Sequence, residues 1–244
     1  MTPMLARDLE DYVDPTGWWL SEKLDGVRAV WTGEVLRSRN GNRFHAPAWF
    51  TNALPSGTWL DGELWLGRGR FQETAGIVRK ATPVDAEWHA LRFHVFDAPK
   101  APEPFEQRLA VCSSILRGCP VARVVPHWAC KGRDHLAAEL QAVLASGAEG
   151  LCLRRADSAY REGRSPDLRR LKGAETEEAA FVGLQGNALL CRWQGLDVRL
   201  GGGLAESFKR RPPHVGARVT FRFKGRFDSG LPREPVFVSV RDYE

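Results

Sequence analysis

A chain of 244 residues, 43% hydrophobic and 27% charged, has room for one large domain or a medium and a small one, with enough apolar residues to fold throughout. Its net charge of +5 is unevenly placed: up to Glu178 there are 24 Lys/Arg and 24 Asp/Glu, and from Ala179 onward 11 and 6, which points to a polyanion held by the last quarter. No run of about eighteen apolar residues exists, which excludes a membrane-spanning helix, and the five cysteines form no C-x-x-C pair, which argues for idle thiols in a reducing cytosol rather than a zinc ribbon or disulfide framework.

Residues 1–14 are acidic and contain no hydrophobic signal region. The expectation is a cytoplasmic protein, with a periplasmic mature form as the alternative. Residues 18–24 read as a strand, and residues 27–31 and 35–38 as two more around the turn Thr32-Gly33-Glu34. Residues 58–66 and 91–96 are further strand candidates. Phe105, Leu109, Cys112 and Leu116 fall on one helical face, as do Leu136, Leu140, Val143 and Leu144, with Asp134 as N-cap and Gly147 as stop. A short apolar strand follows at 151–153. Residues 175–178 are polar and acidic and read as a linker. Beyond them, alternating runs at 180–184, 188–193, 197–200, 219–223 and 236–240, separated by Gly- and Pro-rich turns, suit a small OB-type barrel. Such barrels commonly bind nucleic acid, in agreement with the position of the excess charge.

The sharpest local signal is Glu22-Lys23-Leu24-Asp25-Gly26-Val27-Arg28, of the form K-x-D-G-x-R at the end of a predicted strand. A lysine there can be held at the mouth of a pocket, where a nearby positive charge or desolvation lowers its pKa and makes the amine nucleophilic; the alternative is an exposed lysine on an ordinary strand-turn-strand. Alternation places Asp25 on the same side as Lys23. Gly26 permits a sharp turn or a close approach, and Arg28 can turn back toward a phosphate. Four weaker signals follow. Leu60-Asp61-Gly62-Glu63-Leu64 offers an acid after a turn, suited to a ribose hydroxyl or a metal ion. Phe96-Asp97 ends an apolar strand, where the aromatic either stacks on a purine or joins the core. Glu149-Gly150 puts an acid at a strand entrance, where it can bind magnesium or cap a helix end. Arg170-Leu171-Lys172 puts two cations on one side of a strand, as a phosphate clamp or a solvated face. Each is common alone. Together they supply what nucleotidyl transfer through a lysine needs. No G-x-x-x-x-G-K-[ST] is present, which excludes a P-loop ATPase.

These motifs, in this order, resemble the covalent nucleotidyltransferase superfamily, and within it the minimal bacterial ATP-dependent DNA ligases of the ligase E group. Ser21 to Arg28 is similar to motif I and Ser38-Arg39-Asn40-Gly41 to the nick-sensing stretch after it. Residues 42–50 and 60–72 match the group beyond the short motifs. Phe96-Asp97 resembles motif IIIa, Glu149-Gly150 motif IV, Arg170-Leu171-Lys172 motif V, and residues 216–241 the last strands of the group's OB domain. The resemblance implies an α+β nucleotidyltransferase (adenylation) domain over residues 1–173, a linker at 174–178 and an all-β OB-fold domain over 179–244. It implies ATP as AMP donor, with Mg²⁺ or Mn²⁺, and nicked double-stranded DNA as the partner; a monomer is the default expectation, and the missing apolar run adds the expectation of no membrane contact.

Carried over residue by residue, Lys23 attacks the α-phosphate, assisted in later steps by Asp25. Glu22, Arg28, Glu63, Phe96, Arg170 and Lys172 bind the nucleotide, Glu63 at the ribose and Phe96 on the adenine. Glu63 and Glu149 hold the metal. Arg39 and Arg43, with Lys209, Arg210, Arg222, Lys224 and Arg226 of the basic tail, contact DNA. Motif V ordinarily begins with lysine, and here Arg170 substitutes a fixed fork for a mobile point charge. The R-x-D-K form of motif VI is absent, which leaves Arg233 and Arg241 as the candidates for pyrophosphate contacts. The alternatives are an RNA ligase or capping-type enzyme, which shares motif I, and a non-catalytic OB-type nucleic-acid-binding protein.

Overall fold

The computed structural model describes residues 2–101, 104–173, 175–201, 212–223, 225–227 and 229–241. The chain divides into two compact units, Met1–Leu171 and Lys172–Glu244. In chain order the strands and helices up to the boundary are β1 (Met4–Asp8), β2 (Trp19–Glu22), β3 (Val27–Trp31), β4 (Leu36–Ser38), α1 (Ala48–Asn52), β5 (Leu60–Trp65), α2 (Phe71–Val78), α3 (Asp85–Trp88), β6 (Arg92–Asp97), α4 (Phe105–Ile115), β7 (Ala122–Val124), β8 (Trp128–Ala129), α5 (Arg133–Ala145), β9 (Gly150–Arg154) and β10 (Gly163–Lys172). The remainder are β11 (Glu175–Gln185), β12 (Ala188–Trp193), β13 (Leu196–Leu200), β14 (Arg218–Phe223) and β15 (Val236–Arg241). No helix among the described residues is long and apolar enough to cross a membrane.

The first unit contains two five-stranded sheets, ordered β1-β10-β9-β2-β8 and β4-β3-β5-β6-β7. The second is mostly antiparallel: Val-Arg-Ala-Val-Trp in β3 is rich in residues that suit a pleated surface, and it pairs with both β4 and β5. Its inner face packs Ala29, Trp31, Leu64, Phe93 and Val95 against Phe50, Ile77, Trp88 and Cys112 of the helices. On the other sheet, Leu20, Leu151 and Leu153 pack against Leu136, with Leu140 and Val143 alongside, so α5 presents three of the four residues of the expected apolar face, and Leu144 is not part of that cluster. That helix starts two residues earlier than expected: its N-cap is Gly132, and Asp134 lies in the first turn, where its carboxylate interacts favourably with the helix dipole instead of capping the helix. The stop is at Gly147, whose φ of 82° is the left-handed geometry of a helix end.

The second unit is one five-stranded sheet, β13-β12-β11-β14-β15, around Phe181, Leu189, Trp193, Val219, Phe221 and Phe223. Among the described residues the edge strands meet at a single bridge, Gly201 with Val236, rather than along a ladder. Residues 175–178 are a correction to the sequence reading. They are not a linker but the first part of β11, paired residue by residue with β14 from Glu175 opposite Phe223 to Glu178 opposite Thr220. Their acidity has a local use, because Glu178 pairs with Arg218 at 3.2 Å and with Arg241 at 3.1 Å, and Glu177 with Arg226 at 3.3 Å. Cross-strand charges of opposite sign support a ladder that apolar alternation alone would not announce.

Candidate active site

A cleft of about 250 Å³ opens between the two sheets of the first unit. Lys23 enters it because β2 leaves its sheet there: the Lys23 N–H still donates to the Gly150 carbonyl at 2.9 Å, and the side chain then turns inward. Its amine donates to the carboxylate of Glu149, the residue before β9. Glu63 projects from β5 into the same cleft, and burial pushes its carboxyl up to about 7 against the opposing pull of Arg28 and Lys23. Lining the cleft with Lys23 and Glu63 are Glu22, Arg28, Arg39, Phe96 and Arg170, whereas Glu149 is not among the lining residues and meets the site through Lys23.

Several of these side chains have partners that the motif alone does not reveal. Arg28 does not reach outward as a loose phosphate contact. Its Nε and Nη2 each donate to Asp61 at 2.6 Å, and its guanidinium lies 4.5 Å from the centre of the Phe96 ring. Asp61, fully buried, also accepts from the Tyr160 hydroxyl at 2.6 Å, so one carboxylate holds both groups. Arg170 donates from Nε to Asp8 Oδ1 at 2.6 Å, and Glu22 is gripped on both oxygens by Arg68 at 2.8 Å.

Asp25 departs from the alternation argument. Strand β2 ends at Glu22, so the two-residue period of a strand is not imposed on Asp25. Asp25 accepts from the Trp65 indole at 2.9 Å and from the Gly69 N–H at 3.0 Å, bracing the loop after β5, and it is not among the cleft-lining side chains. Gly26 is required by close approach: a Cβ there would lie 2.5 Å from the Leu64 carbonyl oxygen and 2.8 Å from Glu63 Cγ.

Lys172 and Arg43 are exposed and outside the cleft. In the second unit Arg222, Arg226, Arg233 and Arg241 are all exposed. Arg226 lies 4.6 Å from the Trp193 ring centre and Arg233 5.7 Å from that of Phe227. Lys209, Arg210 and Lys224 lie outside the described residues. The sequence reading missed Asp8, Asp61, Arg154 and Tyr160. For Asp61 a signal existed, since it is two residues from Glu63 on a strand.

No cluster of three or more His, Cys, Asp or Glu side chains that could hold a metal ion is present among the described residues. Glu63 and Glu149 do act on one another and on Lys23. A magnesium ion takes one or two carboxylates and completes its shell with water and substrate phosphates, so this pair fits it as a donor set.

Residues 183–241 match the DNA ligase OB-like domain family. A DNA ligase of Haemophilus influenzae (strain ATCC 51907 / DSM 11121 / KW20 / Rd) is 32% identical over 229 residues, covering 89% of this chain and 84% of that protein. The chain belongs to the DNA ligase family. A solved structure from a structure–function analysis of Lig E DNA ligases is 36% identical to this ligase over 99% of both chains, with a TM-score of 0.71. The Chlorella virus DNA ligase-adenylate shares the fold at 20% identity over 99% of both chains, with a TM-score of 0.62. The ligase is therefore an enzyme, built on the nucleotidyltransferase and OB-type folds of those neighbours.

Proposed function

We propose that this ligase seals nicks in duplex DNA with ATP as its AMP donor and Lys23 as the carrier of AMP. The observation that carries the reading is the Lys23 amine, held by Glu149 within a cleft that also presents Glu63, Phe96, Arg28 and Arg170. The Lys23 nitrogen attacks the α-phosphorus of ATP, the bond to the bridging oxygen breaks, and pyrophosphate leaves, with Glu149 placed to take the ammonium proton. An oxygen of the 5′-phosphate at the nick then attacks the same phosphorus and the phosphorus–nitrogen bond breaks, returning Lys23 to its resting form. Finally the 3′-hydroxyl attacks the DNA phosphorus and AMP leaves.

Glu63 accepts from the ribose, Phe96 stacks on the adenine, and Arg170 and Lys172 neutralise charge that develops on the α-phosphate. Mg²⁺ or Mn²⁺, carried by Glu63 and Glu149, would supply charge neutralisation at the phosphates. Arg39 and Arg43 meet the nicked strand and Asp25 assists the later steps. The cations of the OB-like region, Lys209, Arg210, Arg222, Lys224 and Arg226, bind the duplex, with Arg233 and Arg241 toward pyrophosphate. The working unit is a monomer.

The test is incubation with α-labelled ATP and Mg²⁺ followed by denaturing electrophoresis, for the wild type and Lys23→Ala, after pyrophosphate has stripped any bound AMP. Label on the wild type alone, chased onto nicked DNA in preference to a nicked RNA–DNA hybrid or single-stranded RNA, is the expected result. Absence of label on the wild type would sink the reading.

A further inference from the structure

Strand β1 carries none of the recognised motifs, yet Leu5 and Ala6 form part of the cleft wall. The strand runs parallel to β10, and the register slips between Ala6, opposite Ser165, and Arg7, opposite Arg169. Residues 166–168 of β10 therefore bulge without partners on β1, and one of them is Pro166, which has no N–H to give to a ladder. Bulges of this kind re-aim the residues that follow them. Here the bulge delivers Arg170 directly opposite Asp8, an alignment fixed by the Leu9 N–H donating to the Arg170 carbonyl at 3.0 Å.

In that position Asp8 Oδ1 accepts from Arg170 Nε at 2.6 Å, while Oδ2 is 3.5 Å from Nη2. The grip engages mainly one edge of a planar fork that carries five N–H donors. Arg170 is the residue at which this chain departs from the lysine usual in motif V. A lysine there needs no such partner, because a compact ammonium on a flexible stem can follow a phosphate. A guanidinium is useful only when its plane is set correctly. We infer that Asp8 is a positioning residue for Arg170, fixing the plane of the guanidinium so that its remaining donors meet the α-phosphate when Lys23 is adenylated. The inference rests on the lysyl-AMP reading above. The Asp8 side chain is 72% exposed and that of Arg170 30%, so the pair adds little to stability, and its effect belongs on the rate.

The experiment measures single-turnover formation of the lysyl adduct from α-labelled ATP across ATP concentrations, with wild type, Asp8→Asn, Arg170→Lys and the double variant, each stripped with pyrophosphate. Beside the native arginine, Asp8→Asn lowers the limiting rate by about tenfold with little change in half-saturating ATP. Beside Arg170→Lys the same change costs less than about twofold, because the lysine has no plane to fix. An equal loss in both backgrounds would mean that Asp8 merely anchors β1 and would overturn the inference, as would no loss beside the arginine. Label on the wild type with unchanged Asp8→Asn kinetics defeats this inference alone. A wild type that takes no label defeats the adenylation reading and this inference with it.

Discussion

Lys23 and Glu149 form an ion pair where β2 and β9 part, with the amine donating directly to the carboxylate. A protonated amine held in this way is not a nucleophile; on the lysyl-AMP reading it attacks only after the proton has left, and the Glu149 carboxylate is the group in contact with that proton. Glu149→Gln is expected to slow lysyl-AMP formation by about a hundredfold or more, while Lys23→Ala abolishes it. Initial rates of labelled adduct formation provide the check. A Glu149→Gln rate within about threefold of the wild type would remove Glu149 from the chemistry.

Glu63 makes stability depend on pH. Burial raises its carboxyl from the usual 4.5 to about 7, so between those values the folded chain keeps a proton that the unfolded chain has lost. The sign follows from proton linkage: the contribution is fully present below pH 4.5 and is lost as pH rises through about 7. Up to about 3 kcal/mol is involved. Denaturant midpoints measured from pH 4 to 8 should fall more steeply for the wild type than for Glu63→Gln, which has no proton to lose. Parallel curves would place the Glu63 carboxyl in its ordinary range.

Asp61 holds Arg28 on two donors and accepts from Tyr160 while fully buried itself. Removing the carboxylate leaves the Arg28 guanidinium without its counter-charge, a situation that costs about 3–5 kcal/mol. Asp61→Ala should therefore lower the urea midpoint sharply, and Tyr160→Phe, which deletes the hydrogen bond given to Asp61 and the one accepted from the Met4 N–H at 3.0 Å, should cost about 2 kcal/mol. Equal effects of the two substitutions would contradict the geometry.

How much of this was readable in the chain depended on distance along it. Strand β3 was placed residue for residue because alternation is local, and the K-x-D-G-x-R stretch marked the lysine because its neighbours are contiguous. Asp8 and Arg170 are brought together by parallel pairing between strands at opposite ends of the first unit, which no local period records. Alternation predicts Asp25 beside Lys23, but the strand ends at Glu22 and its period ends with it. The acidic start of β11 looks like a linker along the chain because its partners, Arg218, Arg226 and Arg241, come from later segments.

Gly26 and Gly76 offer a matched pair of substitutions. A Cβ on Gly26 would press on the Leu64 carbonyl at 2.5 Å, a backbone atom that cannot swing aside, whereas one on Gly76 in α2 meets nothing within 4 Å. Gly26→Ala should cost about 1–3 kcal/mol and displace Glu63, reducing lysyl-AMP formation with it. Gly76→Ala should add about 0.5–1 kcal/mol through helix propensity and leave the adduct rate unchanged. Thermal melts paired with the label assay distinguish the two, and a tolerated Gly26→Ala would show that β3 and β5 can separate at that point without loss.

Affinity for nicked duplex should be modest and steeply dependent on salt, because Arg218, Arg226 and Arg241 are engaged by Glu177 and Glu178 and phosphates must compete for them. Each neutralised phosphate contributes a slope of about −0.9 in log affinity against log salt, so three contacts imply about a 40-fold loss for a fourfold rise in salt. Glu178→Gln weakens the hold on Arg218 and Arg241. If those cations face the duplex, the variant should bind tighter at about 50 mM salt with a slope steeper by one to two units. Fluorescence anisotropy on a nicked duplex measures both quantities. An unchanged slope would mean that this end of β14 and β15 lies away from the DNA, and the contact surface would then have to be sought among the cations elsewhere in the ligase.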